Sequence, residues 1–149
     1  MLAALVLLHV LGASIWVGGH LLLAVRILPR ALRARDPEPV RAFESAFEPL
    51  GIPALLVQAV TGVLLARLFA PRFADWFDPG NPVALHIAVK LGLLALTVGL
   101  AAHARLRIIP RLDAARLPAL AVHIVAVTLV SIAFVVVGVS FRTGGWLLS

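Results

Sequence analysis

Apolar residues run along this chain in four long blocks, roughly 2–25, 50–70, 83–106 and 118–140. They show neither the rhythm of a soluble amphipathic helix nor the alternation of a half-buried strand. Each block is long enough to cross a hydrocarbon core of about 30 Å at about 1.5 Å per residue. The pattern predicts an all-α integral membrane protein, a four-transmembrane-helix up-down bundle. The blocks use more than half of the chain, so residues 1–149 read as a single four-helix transmembrane domain.

The polar stretches supply the punctuation. Pro29 marks the exit of the first helix, near Arg26. Residues 31–48 form the most polar stretch, broken at Asp36-Pro37-Glu38-Pro39. After the break, Phe43 and Phe47 lie four apart among Arg41, Glu44 and Glu48, which reads as a short interfacial helix or the start of the second span. Pro49 and Pro53 fall at that junction, where a kink is expected. The connection 71–82 holds Trp76 and Phe77, aromatics suited to an interfacial belt. Pro110 closes the third helix and Pro118 opens the fourth at a first-turn position, where a missing N–H costs least. Trp146 in the tail is a further interface anchor. No internal repeat stands out.

Composition sharpens this reading. Hydrophobic residues make up 62% of the chain and charged ones only 13%, too little polar surface for a soluble domain of this size. The net charge of +6 does not point to nucleic acid, because its distribution is that of a topology signal. Arg26, Arg30, Arg33, Arg35 and Arg41 follow the first span, and Arg105, Arg107, Arg111 and Arg116 follow the third. Arg67 and Arg72 after the second span are offset by Asp75 and Asp78. Arginine-rich loops stay in the cytoplasm, so both termini are expected outside. The membrane is expected to be the inner (plasma) membrane of a prokaryote. The first block lacks a basic leader and a small-residue cleavage site, and is kept as a mature helix. The lipid bilayer is the first partner. Cysteine is absent, which excludes disulfides, thiolate metal sites, iron–sulfur clusters and c-type haem attachment.

The candidate chemistry lies in five histidines, all inside the spans. Ionisable groups in hydrocarbon are costly and normally face the bundle interior with a partner or a task. No Asp or Glu lies deep in the predicted blocks to partner them. Rise alone puts His9 about 7 Å and His86 about 12 Å outward of the midplane. It puts His20, His103 and His123 about 9–13 Å inward. His9 and His20 share a stripe of the first helix with Trp16, beside Gly12 and Gly19, a surface suited to a flat macrocycle held by axial imidazoles. His9 with His86 forms the outer pair, and His20 with His103 or His123 the inner one. Lys90 shares a face with His86, about 6 Å outward of the midplane and too deep to snorkel easily. Arg67 and Arg142 at the outer ends, like Arg26 and Arg105 at the inner ones, are placed for haem propionates or for lipid headgroups. The inner histidines could instead hold Cu or Zn, since imidazole suits both. The absence of Cys, and of any Met beyond Met1, argues against a dedicated Cu(I) conduit, though not against a His-only Cu(II) site.

Short motifs carry a family resemblance. Leu8-His9, Trp16-Val17-Gly18-Gly19 and Leu28-Pro29-Arg30 are similar to the first helix of the copper-resistance protein D (CopD) family. Thr61-Gly62-Val63-Leu64-Leu65, Lys90-Leu91 and the run from Arg105 to Arg111 resemble its later helices. The resemblance implies copper handling with a periplasmic copper protein as partner. A second, overlapping resemblance is to HemJ, the haem-b-binding membrane protoporphyrinogen oxidase, with His9, Lys90 and His103 at the matching positions. Here Phe43-Glu-Ser-Ala-Phe-Glu48 replaces that family's Met-Glu-Arg-Arg-like run, and the Tyr before its later His is absent.

Three readings follow. The first is a membrane-embedded b-type haem protein with one or two His-ligated haems, a cytochrome-b-like electron-transfer protein or haem oxidoreductase drawing on quinol or another membrane donor. The alternative is CopD-like copper transport or handling through the histidines. The third is an assembly subunit without a cofactor.

Overall fold

A computed structural model of the chain describes residues 1–78 and 80–144. Four helices carry the fold: α1, Leu2–Ala34; α2, Glu38–Phe69; α3, Val83–Arg111; and α4, Leu117–Arg142. All four are long and apolar enough to cross a membrane, and the described residues contain no strand. At about 1.5 Å per residue the 33 residues of α1 and 32 of α2 run to nearly 50 Å, well beyond a hydrocarbon core. Trp146 lies outside the described residues.

Helices α1 and α2 pack as one antiparallel hairpin and α3 and α4 as another, with α1 against α4 joining the two. Contact between α2 and α3 is slight, so the bundle has one loose seam. The tight α1–α2 approach depends on Gly12: a Cβ there would meet the Ala54 carbonyl oxygen at 2.8 Å. Leu23, Leu28, Ala31, Val40, Ile108, Leu112, Leu117 and Leu120 build the main buried core, at the arginine-rich end. Elsewhere leucine and valine side chains face outward, as a lipid-facing surface requires. Hydroxyls within the spans are satisfied by their own helix: Thr97 donates to the Leu93 carbonyl and Ser131 to that of Val127.

The helix boundaries differ from the sequence expectation in two informative ways. First, α1 does not end at Arg26. It passes through a wide π turn at Leu23–Ile27, continues over Leu28–Ala34, and stops at Arg35 in the left-handed region, φ 53°. The wide turn accommodates Pro29, which brings no N–H to a backbone ladder. The same device recurs in α3, where the π turn Ala104–Ile108 precedes Pro110. Both turns run into one motif, Arg26-Ile-Leu-Pro-Arg30 and Arg107-Ile-Ile-Pro-Arg111, a short repeat that hydropathy alone conceals. Second, the span starts well before residue 50: of the two readings of the segment around Phe43, the start of the second span is the one seen. That segment is the first third of α2, which continues through Pro49 and Pro53.

The α2–α3 connection is also built differently from a free aromatic belt. A single turn of 3-10 helix, Phe73–Phe77, is locked down by Trp76, which is buried with Ala70 and Ile87. Its indole N–H donates to the Ala70 carbonyl at 2.8 Å. Phe73 and Phe77 are the exposed aromatics. Trp76→Phe is expected to keep the apolar packing and lose the hydrogen bond, at a cost of about 1 kcal/mol. Faster proteolysis within 71–82, with the rest of the bundle protected, is the measurement that checks it.

Candidate functional site

Two clusters of polar side chains lie within the bundle. The first is near the end that carries the chain termini. His9 points from α1 onto α2, with Nδ1 3.0 Å from the Gln58 carbonyl and 3.0 Å from Thr61 Oγ1. Thr61 donates its own hydroxyl to the Val57 carbonyl at 2.6 Å, leaving its oxygen free to accept. The Nδ1 proton of His9 is therefore held by α2, and Nε2 carries the lone pair. Gly62 leaves room for the ring, since a Cβ there would sit 3.2 Å from His9 Cε1. The side-chain oxygen of Gln58 is buried at the same helix contact with no hydrogen-bond partner among the described residues. Lys90 from α3 lies within electrostatic reach of His9, and its Nζ approaches Gly138 of α4. His86 is buried one turn before Lys90, its ring 5.3 Å from that of Phe141 on α4. The first cluster thus brings His9 and Lys90 together. Arg67 and Arg142 are exposed at the ends of α2 and α4.

The second cluster surrounds a cavity of about 110 Å³ to which all four helices contribute. His20 and Trp16 line it from α1, Glu44 and Glu48 from α2, Arg105 from α3 and His123 from α4. His20 donates from Nδ1 to the Trp16 carbonyl at 2.9 Å, and its ring lies 4.4 Å from the indole and 5.9 Å from Phe47. Phe47 is wedged between helices: a Cβ on Gly19 would fall 2.3 Å from its ring and one on Gly51 2.5 Å. The indole N–H of Trp16 is buried with no partner among the described residues. Glu48 and Arg105 form an ion pair at 2.5 Å across the loose α2–α3 seam. His123 donates from Nδ1 to the Ala119 carbonyl at 3.0 Å, and its Nε2 meets Nδ1 of His103 at 2.8 Å.

These placements revise the sequence expectations. The three histidines of this end do not converge: among the described residues no group of three His, Asp or Glu side chains is set to hold a metal ion. His103 is exposed and pairs with His123, while His20 is held back against its own helix. Of the expected inner pairs, His20 and His123 line the same cavity, and His103 lies outside its lining. A cavity of about 110 Å³ is also small beside the roughly 300–1,000 Å³ of a pocket for a sizeable small molecule. Glu44 and Glu48 were the residues that sequence reasoning missed. They belong to a span and face the histidines, because α2 starts twelve residues before the apolar block does. The signal was present in the four-residue spacing of Phe43 with Phe47 and of Glu44 with Glu48, which continues in register into the apolar block.

Fold and site define a class: a polytopic membrane protein of four helices, with imidazoles held inside the bundle. Residues 41–141 match the family model for copper resistance protein D, and the chain belongs to that family. Comparison with curated proteins and with solved structures gives no match. Family membership supports the copper reading and gives the haem reading no support. The HemJ likeness is not shown by it.

Proposed function

We propose that this chain is a copper-handling membrane protein that takes up copper at the His9 end of the bundle and passes it toward the cavity beside His20 and His123. The observation that carries the reading is shared by three histidines. His9, His20 and His123 each commit Nδ1 to a backbone carbonyl, which leaves Nε2 as the basic nitrogen. A ring N–H tied to a carbonyl is the usual arrangement behind a metal-ligating imidazole, because it fixes the tautomer and the ring. Imidazole is a suitable ligand for copper. The unpartnered Gln58 oxygen adds an acceptor beside His9, and Glu44 and Glu48 supply negative charge at the other end. His86 and Lys90 complete the polar lining of the first end.

The arginine distribution supports an orientation with both termini outside; in this reading residues 1–149 act as one domain, in the inner membrane of a prokaryote. Copper then enters from the periplasmic side, where a soluble copper protein is the natural donor. The test is copper flux into proteoliposomes that contain the purified chain. Uptake above that of empty vesicles, with copper bound to the protein, is expected. The absence of both flux and bound copper would overturn the reading.

Lys90 gives a prediction of opposite sign to most substitutions. A cation on His9 feels the Lys90 charge, and like charges about 4–8 Å apart cost about 2–4 kcal/mol at an effective dielectric near 20. Lys90→Met is expected to raise copper occupancy at His9 at least about tenfold at limiting metal. Competition with a chelator of known affinity reads the change. Weaker binding in this variant would make Lys90 a ligand rather than a repelling charge.

A further inference from the structure

We propose that His103 and His123 form a two-coordinate site for a monovalent copper-group ion, the step by which an ion leaves the cavity for the protein surface. The inference rests on the copper-handling reading for the identity of the ion, and on geometry for the site.

The two imidazoles come from different helices, α3 and α4, and meet nitrogen to nitrogen at 2.8 Å with their ring centroids 4.9 Å apart. His123 commits its Nδ1–H to the Ala119 carbonyl, so the nitrogen it turns to His103 is a lone pair. The proton between the rings therefore belongs to Nδ1 of His103. Moving it to Nε2 of that exposed ring turns both facing nitrogens into lone pairs directed at one point. An ion takes the place of the bridging proton, and the neutral pair releases no net proton on binding. At metal–imidazole distances of about 2.0 Å the nitrogens must part from 2.8 Å to roughly 4 Å for a linear site. The exposure of His103 permits that movement.

Ligand number selects the ion. Zn(II) and Cu(II) hold three or four protein ligands in their sites, and no third metal-ligating side chain joins this pair among the described residues. A d¹⁰ monovalent ion is content with two ligands in line. The lack of cysteine, and of methionine beyond Met1, which argued against Cu(I) in the sequence, is thus offset by two converging imidazoles. Placement supplies the role. His123 lines the cavity, whereas His103 is exposed and does not, so the pair spans the wall between cavity and surface. Arg105, two residues beyond His103, is tied to Glu48 and so is not a bare charge against the ion.

The test uses Ag(I), a redox-inert probe, with the full chain in nanodiscs and ¹⁵N-labelled histidine. One equivalent of Ag(I) is expected to shift Nδ1 of His103 and Nε2 of His123. His103→Ala and His123→Ala should each weaken that binding at least about tenfold, while Gly18→Ala, whose added Cβ meets nothing within 4 Å, leaves it unchanged. Resonances of both rings unmoved by Ag(I) would overturn the proposal, and so would unchanged affinity in the folded double variant. The unsubstituted protein carries the resonance measurement, so a variant that fails to fold does not remove the test. Copper flux separates the two readings. Ag(I) bound at the pair in a chain without flux sinks transport and leaves the site, whereas flux with no Ag(I) shift sinks the site alone.

Discussion

Replacing His9 with alanine is expected to cut copper occupancy at the terminal end of the bundle by about a hundredfold or more, with little loss of fold. Altering a partner behind a metal-ligating histidine already costs about 10–100-fold in affinity, and removing the ligand itself costs more. The fold should tolerate the change because the groups left behind keep other partners. The Gln58 carbonyl still faces the Thr61 hydroxyl at 3.2 Å, and Thr61 still donates to the Val57 carbonyl. No buried backbone group is orphaned, which is the situation that makes polar deletions costly. Copper per chain by elemental analysis, at matched helicity, reads the result. Unchanged occupancy would remove His9 from the pathway and shift attention to His86, one turn from Lys90. Thr61→Val provides a graded companion. It keeps the ring and its Gln58 bond but removes one acceptor, so a smaller loss is expected than for His9→Ala.

Most of the architecture was legible because hydrocarbon imposes few solutions. Blocks such as 83–106 and 118–140 can only be buried in lipid or in one another, and length then makes them spans. What stayed hidden has a specific physical origin in each case. The start of α2 was obscured because Arg41, Glu44 and Glu48 lower its hydropathy. Yet Glu44 and Glu48 turn toward a cavity inside the bundle, so their polarity marks an interior surface rather than an interface with water. The π turns before Pro29 and Pro110 leave no hydropathy trace, because widening a turn changes hydrogen bonding and not composition. Depth along the chain sorted the histidines into two layers, but depth carries no information on azimuth. Rotation about the helix axes decides that His103 meets His123 at the surface while His20 lies against Trp16 and Phe47. That rotation is set by packing, here by the ring of Phe47 filling the space that Gly19 and Gly51 leave open.

Gly12 is where packing and site chemistry are joined, and Gly12→Leu is expected to disable both. Its missing side chain lets α1 approach α2 so closely that a Cβ would stand 2.8 Å from the Ala54 carbonyl oxygen. Backbone cannot rotate away as a side chain can, so any larger residue must push the helices apart. Overpacking of this kind costs about 1–3 kcal/mol, and the long leucine side chain lies at the upper end. The displacement also reaches the site. His9 stands one turn before Gly12, and its anchor Gln58 stands one turn after Ala54, so parting the helices here lengthens the 3.0 Å bond that orients the imidazole. Copper occupancy should therefore fall even in the folded fraction, by the roughly 10–100-fold that follows from losing an orienting partner. Gly18→Ala is the control on the same helix, because a Cβ there meets nothing within 4 Å. Thermal unfolding and bound copper measured together separate the effects. If Gly12→Leu and Gly18→Ala behave alike in both, the α1–α2 contact does not hold His9 in place. If only Gly12→Leu loses stability and metal together, the close approach of these two helices is what makes the histidine a ligand.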